Sequence, residues 1–335
     1  AQNLGDCWIS VNDLDFTDRY LESVKRVKPR DVCRVASEYL QEDNRTLYAL
    51  LPTGSSPVVA RAAVEHTQHP IQKFELPNGL RLLVKEDHRL PFVQMRALFQ
   101  GGVLAEKIGN SGITQLMAKL LVKGTANRTG QQIAEQIESV GGGIDAYGGN
   151  NSFGASLEVL SGDTLLGLEL MADVLLQPSF PEAALERQRV VQHAALKAQL
   201  DKLLQGTFRL MRETLFGGQG YRLDTLGTEA SLDKLSAGDL SAFHQKLAVP
   251  NNAVLAIFGD IKTNDIRAEV EKAFGLWPAG NGFRAPKHIP PGEGMRRVEQ
   301  VRDKEQAVAV LGYRGCSFFD EDRYALELIG EACSD

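Results

Sequence analysis

Six histidines and four cysteines are the side chains here with the strongest claim to a metal or a proton. Two histidines stand three apart in Glu65-His66-Thr67-Gln68-His69, a spacing that would let both imidazoles grip one metal ion on a helix. Pro70 follows directly, and Gly, Ser and Pro open the same stretch, so the segment reads as a linker. The most it predicts is an adventitious surface site. Cys7, Cys33, Cys316 and Cys333 are scattered without a C-x-x-C spacing, so neither a zinc ribbon nor a disulfide framework is suggested. More informative is Gly112-Ile-Thr-Gln-Leu-Met-Ala-Lys-Leu-Leu-Val-Lys-Gly-Thr125, where a helix would set Gln115 and Lys119 one turn apart with Ala118 between them. A catalytic zinc needs imidazole or carboxylate ligands and an open position for water. An amide is a poor ligand, a methyl cannot take a proton from water, and an ammonium would put a cation where the metal sits.

The frame of that segment resembles the pitrilysin/insulinase family of zinc peptidases, including the mitochondrial processing peptidases. Their helix reads Gly-Leu-Ala-His-Phe-Leu-Glu-His-Met-Leu-Phe-Lys-Gly-Thr, the inverted zincin pattern H-x-x-E-H. The resemblance places the two histidines and the glutamate base at Gln115, Lys119 and Ala118, so all three chemical positions are degenerate. The family's third ligand is a glutamate on a later helix reading roughly Glu-Arg-Glu-x-x-Val-Val-Leu-x-Glu. Here that helix is Glu186-Arg187-Gln188-Arg189-Val190-Val191-Gln192-His193-Ala194, and the ligand column falls on Ala194. His193 is one residue away, which turns a helical side chain by about 100°. It reads as a partly exposed helical histidine. Lys119 reads as a solvated lysine, the other account being that it neutralises carboxylates which in relatives face zinc.

Gly141-Gly142-Gly143-Ile144-Asp145-Ala146-Tyr147 resembles the family segment Gly-Gly-x-x-Asn-Ala-x-Thr, whose edge strand accepts substrate by strand addition. An exposed strand edge can hydrogen-bond any extended peptide regardless of sequence. The resemblance therefore nominates Gly142, Asp145, Ala146 and Tyr147 for peptide contact, the alternative being a glycine-eased bend in a sheet.

These positions sit within an internal duplication. Moved forward by 208 positions, residues 22–52 lie on 230–260 without a gap: Ser23 meets Ser231, Asp31 meets Asp239, Asn44 meets Asn252 and Leu47 meets Leu255, with Val27 on Leu235 and Val32 on Leu240. Both copies read as two short helices and a strand. A second echo sets the run 91–121 on 303–333, with Gln306-Ala307-Val308-Ala309-Val310-Leu311 as its strand and 322–329 in its helix. The expected organisation is therefore the tail of a preceding repeat at 1–52 and a linker at 53–72. A complete, inactive repeat at 73–278, a second linker at 279–299 and the truncated start of a following repeat at 300–335 complete it. The end pieces are expected to belong to neighbouring repeats of one longer polypeptide. A homodimer formed by exchange of end segments is the alternative.

Within the central repeat, 74–84 reads as a hairpin around Asn78-Gly79. Residues 92–99 alternate as a strand, a helix begins at Thr129, and 141–147 and 153–159 make a strand pair. Helical stretches follow at 162–176, 181–204, 207–216 and 231–247, then a strand at 252–258 and a helix at 262–274. Strands meeting a block of helices predict an α+β fold, a mainly antiparallel sheet packed on one face.

Composition narrows the rest. Apolar residues make up 43% of 335, enough for a sizeable core, and a net charge of −6 with both signs interspersed argues against a nucleic-acid partner. No apolar run approaches the ~20 residues of a membrane span. The resemblance implies a peptide or protein substrate and a non-catalytic half of a tandem zinc metalloendopeptidase. Such a half supplies chamber wall and peptide grip, with no cofactor of its own and zinc in a repeat outside this chain. A structural or protein-binding module of the same fold, like the family's core subunits in respiratory complexes, is the alternative. A soluble bacterial protein is expected, with cytoplasm and periplasm both open.

Overall fold

A computed structural model describes residues 16–39, 70–217, 220–285, 294–303, 305–313 and 315–333. It divides into two compact units, Ala1–His66 and Thr67–Asp335. The described part of the first unit is two helices, α1 (Phe16–Arg26) and α2 (Pro29–Tyr39). The strand expected after them, and His66, His69 and Cys7, lie outside the described residues.

The second unit begins with β1 (Gln72–Glu75), β2 (Arg81–Glu86) and β3 (Phe92–Gln100), followed by helices α3 (Ile113–Leu121) and α4 (Gly130–Ser139). Next come β4 (Gly143–Gly148), β5 (Ser152–Leu160), α5 (Thr164–Leu176), α6 (Glu182–Asp201) and α7 (Leu203–Phe216). The short α8 (Glu229–Leu232), α9 (Ala237–Leu247), β6 (Ala253–Gly259) and α10 (Thr263–Phe274) follow, with α11 (Arg323–Ala332) last. The six strands form one sheet in the order β1-β2-β6-β3-β5-β4, antiparallel throughout except that β2 and β6 run parallel.

Alternation along the strands sorts the two faces of this sheet. On β3, Val93, Met95, Ala97 and Phe99 are at most 2% exposed while Gln94 and Arg96 are exposed, and Phe153, Ala155, Leu157 and Val159 repeat the pattern on β5. The inward residues join Leu116, Met117 and Leu120 of α3, Leu170, Met171 and Val174 of α5, and Leu240 and Val270 in one core. One face is covered and the other is open, as the sequence predicts.

Two boundaries differ from expectation. The stretch 231–247 is two helices because Ser236 restarts the second: its hydroxyl accepts from Asp239 N, and Asp239 accepts in turn from Ser236 N. The strand expected at 306–311 does not form among the described residues. No partner strand lies beside it, and Leu311 is 75% exposed.

The 208-residue offset also relates two of the helices. Both ends of α2 fall on the ends of α9 when moved by 208 positions. The start is built alike, with Lys28 N donating to Asp31 Oδ2 at 3.0 Å and Ser236 N to Asp239 Oδ2 at 2.9 Å. Leu240, Phe243 and Leu247 of α9 are at most 8% exposed, whereas their counterparts Val32, Val35 and Tyr39 are all exposed.

Candidate functional site

Helix α3 carries the degenerate positions, and its apolar side chains explain where it lies. Ile113, Leu116, Met117, Leu120 and Leu121 recur at helical spacing and are at most 1% exposed. Its first residue is preceded by Gly112 at φ 90°, where a Cβ would meet Leu226 O at 2.9 Å and Gln192 Nε2 at 3.0 Å, so no other residue fits. The first-turn donors need a partner, and Glu106 supplies it: Gly112 N and Thr114 N donate to its two carboxylate oxygens at 2.8 and 3.0 Å. Glu106 is 3% exposed, and burial pushes its carboxyl up to about 7 against those two bonds. From α6, Gln192 Nε2 donates to Gly112 O and Leu226 O, and Ser231 Oγ donates to Ser111 O at 2.7 Å. Three separate segments thus fix the start of the helix.

Its end is held by a buried carboxylate. Asp173, on α5, accepts from Thr125 Oγ1 at 2.7 Å, Asn127 Nδ2 at 2.8 Å and Arg128 at 2.8 Å. Arg128 also pairs with Glu169 and donates to Gln136. The Lys123-Gly124-Thr125 end of the frame therefore persists for a structural reason, the anchoring of the loop after α3. Asn252 does similar work beside β6, donating to Gln100 O and Leu247 O.

Between those anchors the degenerate positions have distinct fates. Gln115 is half-buried against Gly148 of β4. Ala118 is 0% exposed and is part of the packed interior. Lys119 has a side chain 35% exposed, and its ammonium lies 3.2 Å from the exposed Asp145 Oδ1 on β4. Ala194 is an exposed methyl on α6. His193 is partly exposed, as expected, with Nε2 2.9 Å from Asp233 Oδ1. Among the described residues no three His, Cys, Asp or Glu side chains converge so as to hold a metal ion. An amide, two methyls and a paired ammonium do not fit zinc, so no metal-dependent step is derived for these positions.

The residues nominated for peptide contact lie along β4, the outermost strand beside β5. Gly142 immediately precedes it and donates its N–H to Ile137 O, closing α4. Asp145 is exposed and Tyr147 half-buried, its hydroxyl 3.3 Å from Ser152 Oγ. Ala146 is 1% exposed and faces the core, so it can offer a ligand only its main chain. The structure brings Lys119 and Asp145 together and leaves Ala194 and His193 on another helix. Glu106 and Asp173 are absent from the sequence reading. Asp173 had a signal: it is one of two acids in the otherwise apolar helix Thr164–Leu176, with Leu170, Met171, Val174 and Leu175 around it, and a buried carboxylate there requires partners.

Comparison with known proteins adds a lineage to this geometry. The model of the insulinase family (peptidase family M16) matches residues 81–229, and that of the peptidase M16 inactive domain matches 234–333. The zinc protease YmxG of Bacillus subtilis is 23% identical over 259 residues, 76% of this chain and 62% of that protein. The mitochondrial cytochrome b-c1 complex subunit 1 of Bos taurus is 26% identical over 203 residues, 61% of this chain and 42% of that protein. The chain thus spans less than two thirds of the length of these relatives. A crystal structure of a peptidase M16 inactive domain from Pseudomonas fluorescens superposes with a TM-score of 0.62 at 24% identity. It covers 67% of this chain and 54% of that one, and it shows the same fold.

Proposed function

This chain belongs to the insulinase family of peptidases, family M16, and we propose that it serves there as a non-catalytic half. It would supply chamber wall and peptide grip to a zinc-bearing repeat outside residues 1–335. The observation that carries this reading is the Lys119–Asp145 ion pair. A position that holds a zinc ligand in catalytic relatives here carries a cation tied to the neighbouring strand. The rest of the helix keeps the anchors at Glu106, Gln192 and Asp173 that a working site would need.

On this reading 73–278 is one repeat, and the pieces on either side belong to neighbouring repeats or exchange between two copies. A peptide is the substrate class, and the open face of the sheet with the free edge of β4 is the surface offered to it. A structural role in a larger complex is the second reading, favoured by the likeness to a respiratory-complex subunit. Among the described residues no helix is long and apolar enough to cross a membrane.

The test is zinc content of the dialysed protein together with hydrolysis of unstructured peptides. No stoichiometric zinc and no cleavage are expected. One tightly held zinc per chain, with chelator-sensitive cleavage lost on changing Gln115, would refute the reading.

A further inference from the structure

Side chains alternate along β4, and that alternation places Lys119 and Asp145 on opposite sides of the sheet. Ala146 faces the core, and a Cβ on Gly148 would stand 2.9 Å from Gln115 Cα, so Ile144, Ala146 and Gly148 share the face that α3 covers. Asp145 and Tyr147 project from the open face. Yet Lys119 Nζ, which comes from α3, reaches Asp145 Oδ1 at 3.2 Å. The other flank of β4 is occupied by β5, so among the described residues the path between the two groups passes around the outer edge of the sheet. The ion pair straddles that edge and interrupts the row of main-chain groups it offers.

A peptide adding to β4 as a seventh strand must therefore break the pair or stop at it. We propose that this edge receives an extended peptide ending at the pair, with its C-terminal carboxylate replacing that of Asp145 on the Lys119 ammonium. This rests on the reading of β4 as the peptide grip. Asp145 already shows that a carboxylate reaches this ammonium, and at 71% side-chain exposure it returns to water at little cost when displaced. An uninterrupted strand would have to run through the space the lysine fills. A peptide ending in a neutral amide would give up a charge-assisted bond. Gln115 lies one turn before Lys119 on the same helix and so shares its flank of α3. The ligand class is an extended peptide with a free C-terminus, which is the acyl-side product of peptide-bond hydrolysis.

The experiment uses one fluorescein-labelled octapeptide of alternating threonine and valine, prepared as free acid and as C-terminal amide. Binding to the whole chain is followed by anisotropy at low salt. The free acid is expected to bind about threefold more tightly than the amide, the scale of a solvent-exposed ion pair. Lys119→Met should erase that difference, and Asp145→Asn, which removes the internal competitor, should tighten the free acid several-fold. Equal binding of acid and amide by the unmodified chain would overturn the proposal and leave the strand grip standing. Binding of neither peptide would overturn both.

Discussion

The carboxyl of Glu106 is 3% exposed and is pushed by burial up to about 7 from an ordinary 4.5. An acid whose folded pKa lies above its unfolded one contributes stability that is complete below the unfolded value. That contribution is lost as pH rises through the folded value. The interval of about 2.5 units corresponds to about 3 kcal/mol, lost between pH 4.5 and pH 7. Opposing this are the bonds from Gly112 N and Thr114 N and the positive end of α3, all of which favour the anion. Asp224 acts in the same sense as burial. The perturbation is Glu106→Gln, which cannot ionise, and the assay is urea unfolding of both proteins from pH 4.5 to 8.5. Their difference in stability should move by about 3 kcal/mol in favour of the variant across that range. His244 also titrates, since burial holds it down to about 4. Its contribution is present above 6.5 and lost as pH falls toward 4, but it is common to both proteins and cancels. Parallel stability curves would refute the reasoning. They would mean that the two main-chain bonds and the helix start hold the carboxylate charged at no net cost.

Asp173→Ala removes the acceptor of three side chains and leaves the largely buried Arg128 with Gln136 and the exposed Glu169. A loss of about 2–4 kcal/mol is expected in chemical denaturation, because three buried or half-buried donors lose a charged acceptor. A loss below about 1 kcal/mol would show that water reaches the network. Gly148→Ala would set a methyl 2.9 Å from main-chain atoms of Gln115, so α3 must lift from β4. A cost of about 1–3 kcal/mol and weaker peptide binding at that edge are expected together. Unchanged stability would mean that the two elements are not in contact.

The sheet and most helices were legible because their signals are local: the alternation of 92–99, the Asn78-Gly79 turn, and helical spacing from Ile113 to Leu121. What the sequence hid were partnerships between distant residues. Nothing near Glu106 announces that its carboxylate turns back on a helix six residues later, since the usual acidic preference lies within the first turn. The pairing of Lys119 with Asp145 was hidden because the two are 26 residues apart, one on a helix and one on a strand. The strand expected at 306–311 failed for the converse reason. Its pattern is that of a strand, but a strand also requires a neighbour, and composition cannot supply one.

The correspondence of α2 with α9 makes this chain its own control in amide exchange. The two helices have the same length, the same acid at the same place in the first turn, and apolar residues in register, but among the described residues only one has a core behind it. An isolated helix of this length is marginal in water. Main-chain amides of α2 should therefore exchange through local fraying, and those of α9 only through opening of the core. Within a single molecule and a single solvent, the ratio of their protection factors isolates what tertiary packing adds to a helix whose local sequence signals are otherwise alike.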